Sequence, residues 1–469
     1  MSFHSKKILE RRSIFVNEDW NWIKVRDDYE PVKFKMDESV HEKNKFILAE
    51  NMRADWCSEG IFYLTNLRDR VEPWLTSLFQ SEHLSLLIGS GLTTAIQHKA
   101  TGYITNAMDI PELITSFADK IRLAVNKSAS CKNRGEPNIE DYIRVMNELL
   151  CGLNILQQHE EYNTLKKELD RILNEFAYKI SHIEYMIATA NEDKREASFA
   201  NLVLFLMSFA SRTGTRERLN IFTTNYDRII EVGAELAGLH LLDRFVGSLT
   251  PVFRSSRLDI DMHYNPPGIR GEPRYLEGVV KFTKLHGSID WVDNKGDIRK
   301  IGLPFGLCDI TSFLSAPGLS YDISKIMVYP NASKDRETTE YPYVELFRDF
   351  ASALCRPNST LVTYGYGFGD DHINRIIRDM LTIPSTHLVV ISYDDKYERI
   401  MKFYKDTGRV NQISLIIGKD IADIDPLTNY LLPKPSIDIN TIKMTELLTK
   451  RYGQPNKPNE YEIDGGAEK

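Results

Sequence analysis

Four short apolar runs in this chain end in glycine or polar residues, and helical stretches separate several of them. The four strand ends are Gly89-Ser90-Gly91-Leu92-Thr93, Thr223-Thr224-Asn225-Tyr226-Asp227, Leu285-His286-Gly287-Ser288 and Gly365-Tyr366-Gly367-Phe368-Gly369-Asp370. Strands that alternate with helices are typical of a parallel α/β sheet. The pattern therefore predicts an α/β fold in which these four ends meet along one edge of the sheet.

A long helical region interrupts this alternation. Apolar residues recur at helical spacing through residues 111–210, for example at Ile139, Ile143, Met146 and Leu150. Such stripes predict a helical insert of about a hundred residues, whose simplest interpretation is the core of a helix bundle.

The predicted domain organisation has three parts. Residues 1–80 form an N-terminal extension that is too aromatic to be simply disordered, and residues 81–420 form the α/β domain with its insert. Residues 421–469 form a C-terminal segment, and its composition predicts a disordered tail from about residue 453.

Charge and cysteine content exclude several classes of protein. The chain has 59 basic and 66 acidic residues, so we expect no direct binding of nucleic acid through its phosphates. Five cysteines occur without a CxxC pair, which argues against a cysteine zinc site, any metal and disulfides. No apolar run approaches the ~20 residues that span a bilayer. These features predict a soluble protein of a reducing cytoplasm, with no membrane partner.

The four strand ends together predict a nucleotide site. Ligands of open α/β sheets bind at the carboxyl ends of strands, where glycines let backbone N–H groups approach a phosphate. Each signal alone has a plainer interpretation: a glycine turn, a structural His286, or a turn and helix cap at Asn225 and Asp227. Their order along the chain and their strand-end context favour the functional interpretation.

That ordered set resembles the sirtuin family, whose chains carry a GAG-(I/V)-S loop, then T-x-N-x-D, then a catalytic His in an H-G pair, and then a G-x-S strand end. The resemblance covers roughly residues 82–420 and implies a Rossmann-like parallel sheet of sirtuin type with a large helical insertion. The last strand end is most similar to a bacterial sirtuin-like branch, which shows GYSFxD there. Val328-Tyr329-Pro330 and Lys334 also resemble that branch.

Four features depart from the sirtuin deacylases. The two cysteine pairs that hold their zinc are missing, and Thr94-Ala95-Ile96-Gln97-His98 stands where they have a D-F-R stretch. Gly367 replaces the usual Ser, and the helical insert fills the region where deacylases bind peptide. These departures argue against protein deacylation. The chain is more similar to the sirtuin-like NAD hydrolases of bacterial anti-phage defence.

The resemblance implies NAD as the substrate and assigns roles to individual residues. Asn225 orients the ribose or the attacking water, and His286 is the base near the ribose hydroxyls. Asp227 holds the nicotinamide carboxamide, while the glycines and Ser90 cradle the diphosphate. Ser392 lies on the adenosine side. The NAD-binding residues implied in this way are Gly89, Ser90, Gly91, Thr93, Thr224, Asp227, Gly365, Gly367, Asp370 and Ser392.

Three functions are compatible with these patterns. The first is an antiviral NAD hydrolase that depletes cellular NAD when infection is sensed. The second is a catalytically silent module that senses NAD or ADP-ribose, although retention of both Asn225 and His286 argues against it. The third is an assembly subunit of a defence complex. The resemblance further implies a homo-oligomer gated by a partner, and a HerA-type ATPase is favoured over a short Argonaute.

Overall fold

The computed structural model describes residues 20–37, 44–50, 52–57, 59–131, 137–211, 217–264, 274–294, 296–307, 313, 341–434 and 447. The predicted disordered tail, the segment around Val328 and Lys334, and the first 19 residues of the predicted extension lie outside these ranges.

The strands are short, and several have two to four residues. They are β1 (Asn21–Lys24), β2 (Val32–Met36), β3 (Lys45–Leu48), β4 (Ile61–Tyr63), β5 (His83–Ile88), β6 (Leu219–Thr223), β7 (His240–Leu242), β8 (Phe245–Val246), β9 (Val252–Phe253), β10 (His263–Tyr264), β11 (Arg274–Tyr275), β12 (Val279–Lys284), β13 (Trp291–Asn294), β14 (Asp297–Lys300), β15 (Ser359–Tyr364), β16 (His387–Ser392) and β17 (Ile413–Ile417).

The helices are more regular. They are α1 (Leu64–Phe79), α2 (Ser90–Thr101), α3 (Ala118–Cys131), α4 (Ile139–Ile155), α5 (His159–Ala188), α6 (Glu192–Ala210), α7 (Ile229–Leu236), α8 (Tyr343–Leu354), α9 (Asp371–Leu381), α10 (Arg399–Asp406), α11 (Lys419–Ala422) and α12 (Ile424–Pro426). Short 3₁₀ turns occur at Arg257–Asp259 and Val410–Gln412, and a π-helical turn at Leu427–Leu431.

One mixed sheet of eleven strands organises the fold, in the order β4-β3-β2-β1-β17-β16-β15-β5-β6-β12-β7. Strands β17 to β7 in this order pair in parallel. Six neighbouring strands of the sheet lie in the order β12-β6-β5-β15-β16-β17. When these six are numbered by their order in the chain, they have the doubly wound order 3-2-1-4-5-6. The predicted α/β fold with a Rossmann-like parallel sheet is therefore confirmed.

The four predicted strand ends lie side by side because their strands finish at the same level. Thr223, the last residue of β6, lies in register with Lys284 of β12 on one side and with Ile88 of β5 on the other. Ile88 in turn lies in register with Tyr364 of β15. The residues that follow these four positions therefore emerge together at one edge of the sheet.

The N-terminal region supplies strands that the sequence pattern does not predict. Strands β1 to β4 pair antiparallel with one another, and β1 pairs with β17, so they continue the parallel sheet. Each has only three to five residues, and β1, β2 and β3 combine lysine with aromatic side chains, which weakens the period-2 signal of a strand.

Alternate residues of the central strand β5 enter different cores. Leu84, Leu86 and Ile88 pack in a core with residues of α1, α2 and α6. Leu87 points to the opposite face, where α8, α9 and α10 cover the sheet. Helices on both faces explain why Leu84 to Ile88 are all buried and why four of these five residues are apolar.

The predicted helical insert at 111–210 contains α3, α4, α5 and α6. Residues of α3, α4 and α5 form a third core together with residues of the α/β domain, which are Tyr226, Ile289, Val292, Ile301 and Leu303. Helix α6 instead packs its Leu202, Phe205 and Phe209 into the sheet core, and α5 contacts both α4 and α2. The insert is thus a helix bundle that packs against the α/β domain through both α5 and α6. The predicted domain boundaries at 80 and 420 stay a prediction.

None of the described helices has the length and apolar character that a membrane crossing requires.

Candidate active site

Two adjacent pockets open at the point where the strand order reverses, between β5 and β15. The first has a volume of about 300 Å³. The site residues predicted from the sequence that line it are Gly89, Ser90, Thr93, Thr224, Asn225, Asp227, His286, Gly365, Gly367 and Asp370. The second has a volume of about 480 Å³ and contains Ser90, Gly91, Gly365, Gly367 and Ser392. Every site residue predicted from the sequence lines at least one of the two pockets.

Glycines form the wall that the two pockets share. A Cβ atom at Gly89 would lie 2.7 Å from the Cα of Tyr366, and one at Gly91 would lie 2.5 Å from the Cα of Gly365. Gly365 itself has a φ of +60°, in the left-handed region. The Gly91 N–H donates to the carbonyl oxygen of Gly365 over 3.1 Å. Only glycine allows the two loops to approach this closely, and α2 begins at their contact, with its N-terminus at the pockets.

Hydrogen bonds hold the Asn225 side chain in the first pocket. Its Nδ2 donates to the carbonyl oxygen of Gly89 over 3.0 Å and to Oγ1 of Thr93 over 3.1 Å. Thr93 in turn donates to Oδ2 of Asp227 over 2.6 Å. Both amide hydrogens are used within the protein, so Oδ1 of Asn225 is the atom left to accept a hydrogen bond from a ligand.

Asp227 combines a place in the pocket with a structural contact. Its Oδ1 accepts a hydrogen bond of 3.1 Å from the backbone N–H of Ile229, the first residue of α7. Its carbonyl oxygen accepts from Nζ of Lys284, at the end of β12. The simpler interpretation from the sequence, a contact at the helix start, therefore holds together with the position in the pocket.

His286 is paired with an acidic residue from another strand end. Its Nε2 lies 2.9 Å from Oδ2 of Asp370, and the two side chains are only 18% and 12% exposed. Oδ1 of Asp370 accepts a hydrogen bond from the backbone N–H of His372 and so caps α9. The resemblance placed Asp370 among the NAD-binding residues; the structure adds a contact through which it orients the histidine ring.

The helical insert also lines the first pocket. Phe176 and Ile180 of α5 and Glu140 of α4 face it. The Tyr226 hydroxyl donates to Oε1 of Glu140 over 3.0 Å, and its ring packs edge-on against Phe176 with centroids 5.6 Å apart. The Tyr226 ring lies 6.4 Å from that of His286. Tyr226 is therefore both a core residue and a wall of the pocket.

A buried ion pair beneath the pocket joins the insert to the loop after β6. Glu184 of α5 is fully buried, and its Oε2 accepts a hydrogen bond of 2.5 Å from Nη2 of Arg228. Its Oε1 accepts from the Arg228 backbone N–H over 2.7 Å. Burial raises the pKa of the Glu184 carboxyl although Arg228 lies beside it. The sequence pattern missed this pair, although a glutamate on the apolar stripe between Ile183 and Ile187 was a signal.

Ser392 lies at the end of β16 in the second pocket, where its hydroxyl donates to the carbonyl oxygen of Asp394 over 2.8 Å. No group of three or more His, Cys, Asp or Glu residues is arranged to hold a metal ion within the part of the chain that the structure describes.

Comparison with known families agrees with this geometry. Residues 219–409 match the family model of a SIR2-like domain. The match supports a sirtuin-like family. The matched range begins at β6 and includes Asn225, His286 and Asp370, whereas the glycine loop at Gly89 precedes it. A SIR2-like domain is consistent with an enzyme family that uses NAD. No curated protein matches the chain.

Proposed function

We propose that this protein hydrolyses NAD to nicotinamide and ADP-ribose. The observation that carries the proposal is a cleft of two pockets with a shared glycine wall, in which Asn225 and His286 line the same pocket. Such a shape suits a dinucleotide, with its diphosphate at the glycine loops and one nucleoside in each pocket.

The proposed reaction breaks one bond and forms one. The bond between the nicotinamide nitrogen and ribose C1′ breaks, and its electron pair neutralises the pyridinium nitrogen. A water oxygen then bonds to C1′ and loses a proton, so NAD⁺ and water give nicotinamide, ADP-ribose and H⁺. The transition state is oxocarbenium-like, by analogy with other glycosides.

Asn225 is the residue that we propose orients the ribose or the water. Its amide is fixed by Gly89 and Thr93, so its Oδ1 can accept a hydrogen bond with little loss of side-chain freedom. His286 is the proposed general base. Its contact with Asp370 fixes the ring, as the third member of many catalytic triads fixes a histidine, and general-base help is typically worth about 10²–10⁴-fold.

We also propose a role in anti-phage defence as a homo-oligomer in the cytoplasm, gated by a HerA-type ATPase. This part of the proposal rests on the resemblance to defence enzymes. It is also supported by a physical argument: an unrestrained NAD hydrolase depletes the cell that makes it, so a gate is needed. Measuring cellular NAD during phage infection, with and without the ATPase, tests it. NAD that stays constant in both cases contradicts it.

The direct test incubates the purified full chain with NAD and quantifies nicotinamide and ADP-ribose, with and without the partner ATPase. We expect equal amounts of both products. ADP-ribose binding without nicotinamide release under either condition indicates the silent sensing module instead. Nicotinamide release that occurs only when an acylated peptide is present indicates protein deacylation.

A further inference from the structure

Arg399 lies at the border between the two pockets and belongs to neither the sequence motifs nor the predicted site. It is the first residue of α10 and is half-buried. The residues that line both pockets are Ser90, Thr94, Gly365, Gly367 and Arg399. Arg399 is the charged member of this set, so its guanidinium is at the place where the two halves of a dinucleotide join.

Two contacts hold the Arg399 side chain in this position. A Cβ atom at Gly369 would lie 2.8 Å from its Nη1, so the guanidinium rests against the loop that follows β15. Its Cζ lies 4.6 Å from the centroid of the Tyr397 ring. An arginine that stacks on a ring keeps its planar fork in one orientation.

The start of α10 is anchored as well. The carboxylate of Asp395 accepts hydrogen bonds of 3.0 and 2.9 Å from the backbone N–H groups of Ile400 and Met401. The Cα of Arg399 is therefore fixed next to the glycine loops before any ligand binds.

The charges around the cleft show why a cation is needed there. Lys396 lines the second pocket and Arg399 lines both, but the carboxylates outnumber these two cations. The acidic residues are Glu140, Asp141, Asp227 and Asp370 in the first pocket, and Asp394, Asp395 and Asp423 in the second. A diphosphate carries two negative charges, which these carboxylates repel. Backbone N–H groups at the glycine wall offset part of that repulsion, and a guanidinium at the shared border offsets more.

We propose that Arg399 binds the diphosphate of the dinucleotide and is a specificity-determining residue of the site. The inference rests on the proposed function, because it names the part of NAD that Arg399 recognises. It accounts for selection of dinucleotides and ADP-ribose over nucleosides that lack a diphosphate.

The test measures equilibrium binding of ADP-ribose and of adenosine to the full chain and to Arg399→Gln. Glutamine keeps most of the stem over Tyr397 and removes the charge. Loss of a charge-assisted contact should weaken ADP-ribose binding by roughly 10–100-fold. Adenosine binding should change by less than about twofold, because adenosine has no phosphate. With NAD as substrate, the same variant should raise KM and leave kcat nearly unchanged.

Arg378→Gln is the matched control. Its guanidinium Cζ also stacks on a ring, 5.1 Å from the centroid of Phe403, but Arg378 lines neither pocket. We expect its ADP-ribose affinity to equal that of the unaltered chain. Melting temperatures of both variants establish that each is folded, and Arg399→Lys is the substitute if Arg399→Gln does not fold. Lysine keeps the charge but not the fork, so a several-fold weaker binding of ADP-ribose is expected.

Binding and catalysis separate the two proposals. If the chain binds ADP-ribose but releases no nicotinamide, hydrolysis is wrong, and weaker ADP-ribose binding by Arg399→Gln still supports the diphosphate contact. Unchanged ADP-ribose affinity, or an equal loss for adenosine, overturns the role of Arg399. Failure of the unaltered chain to bind ADP-ribose overturns the role of Arg399, and failure to bind NAD as well overturns both proposals.

Discussion

The two pockets share a wall but are lined by different kinds of chemical group. The first is lined by side chains that are already bonded to one another: Asn225 to Thr93, Thr93 to Asp227, and His286 to Asp370. The second is lined by glycine backbone, by Ser392 at the end of β16 and by the loop that follows this strand.

The difference matches what each half of a dinucleotide requires. Chemistry at the ribose needs groups held in place before the reaction, because reorganising them costs free energy in the transition state. Binding of the other nucleoside needs only a complementary surface. We therefore expect substitutions in the first pocket to change kcat and those in the second to change affinity.

The largest expected effect comes from His286→Ala in the first pocket. Loss of the proposed general base should lower kcat for nicotinamide release by roughly 10³-fold, while ADP-ribose binding changes little. The matched variant in the second pocket, Ser392→Ala, should change kcat by less than about threefold. Single-turnover nicotinamide release measures both. An equal loss of kcat in the two variants breaks the contrast between the pockets.

Glu184→Gln tests how far the first pocket depends on the helical insert. Breaking the buried pair leaves the Arg228 guanidinium without its counter-charge and should cost about 3 kcal/mol of unfolding free energy. The control is Glu175→Gln on the same helix, whose ion pairs with Arg171 and Lys179 are partly exposed to solvent. That change should cost less than about 1 kcal/mol. Urea denaturation measures both, and equal stabilities contradict the role of the buried pair.

Gly91→Ala tests the shared wall. The new methyl group meets the Cα of Gly365, so one loop must move, which we expect to cost about 2–3 kcal/mol of stability and to weaken ADP-ribose binding. Gly367→Ala is the control, because a Cβ atom there has no neighbour within 4 Å. Its stability should change by less than about 0.5 kcal/mol. A fully stable, binding-competent Gly91→Ala protein disproves the tight contact.

The smallest of these effects is expected for Asp370→Asn. Asparagine still caps α9, so the fold should be retained, but it orients a histidine less well than a carboxylate does. We expect kcat to fall by roughly 10–100-fold with KM nearly unchanged. The neighbouring Asp371→Asn is the control and should keep normal kinetics. A change in KM alone assigns Asp370 to NAD binding, as the resemblance first implied.

Local sequence patterns were sufficient for the central sheet and for the four strand ends at the cleft. Apolar runs of five or six residues identified β5, β6, β12, β15, β16 and β17, because a strand buried on both faces has few polar residues. The glycines at 89, 91 and 365 were recognisable because each lies at or just after the end of an apolar run. Both patterns involve only neighbouring residues in the chain, so the amino-acid sequence alone determines them.

Contacts between segments that are distant in the chain could not be predicted from local sequence patterns. Strand β1 pairs with β17, and this pairing decides that β1 to β4 extend the sheet. At the same place, the Asn21 side chain donates a hydrogen bond to Asp420, which is 399 positions away in the chain. The His286–Asp370 contact and the Glu184–Arg228 pair likewise join separate elements. A local pattern specifies which face of an element is apolar, but not which partner covers it. Only the packed tertiary structure decides that, because it alone brings those faces and charges within a few ångströms of each other.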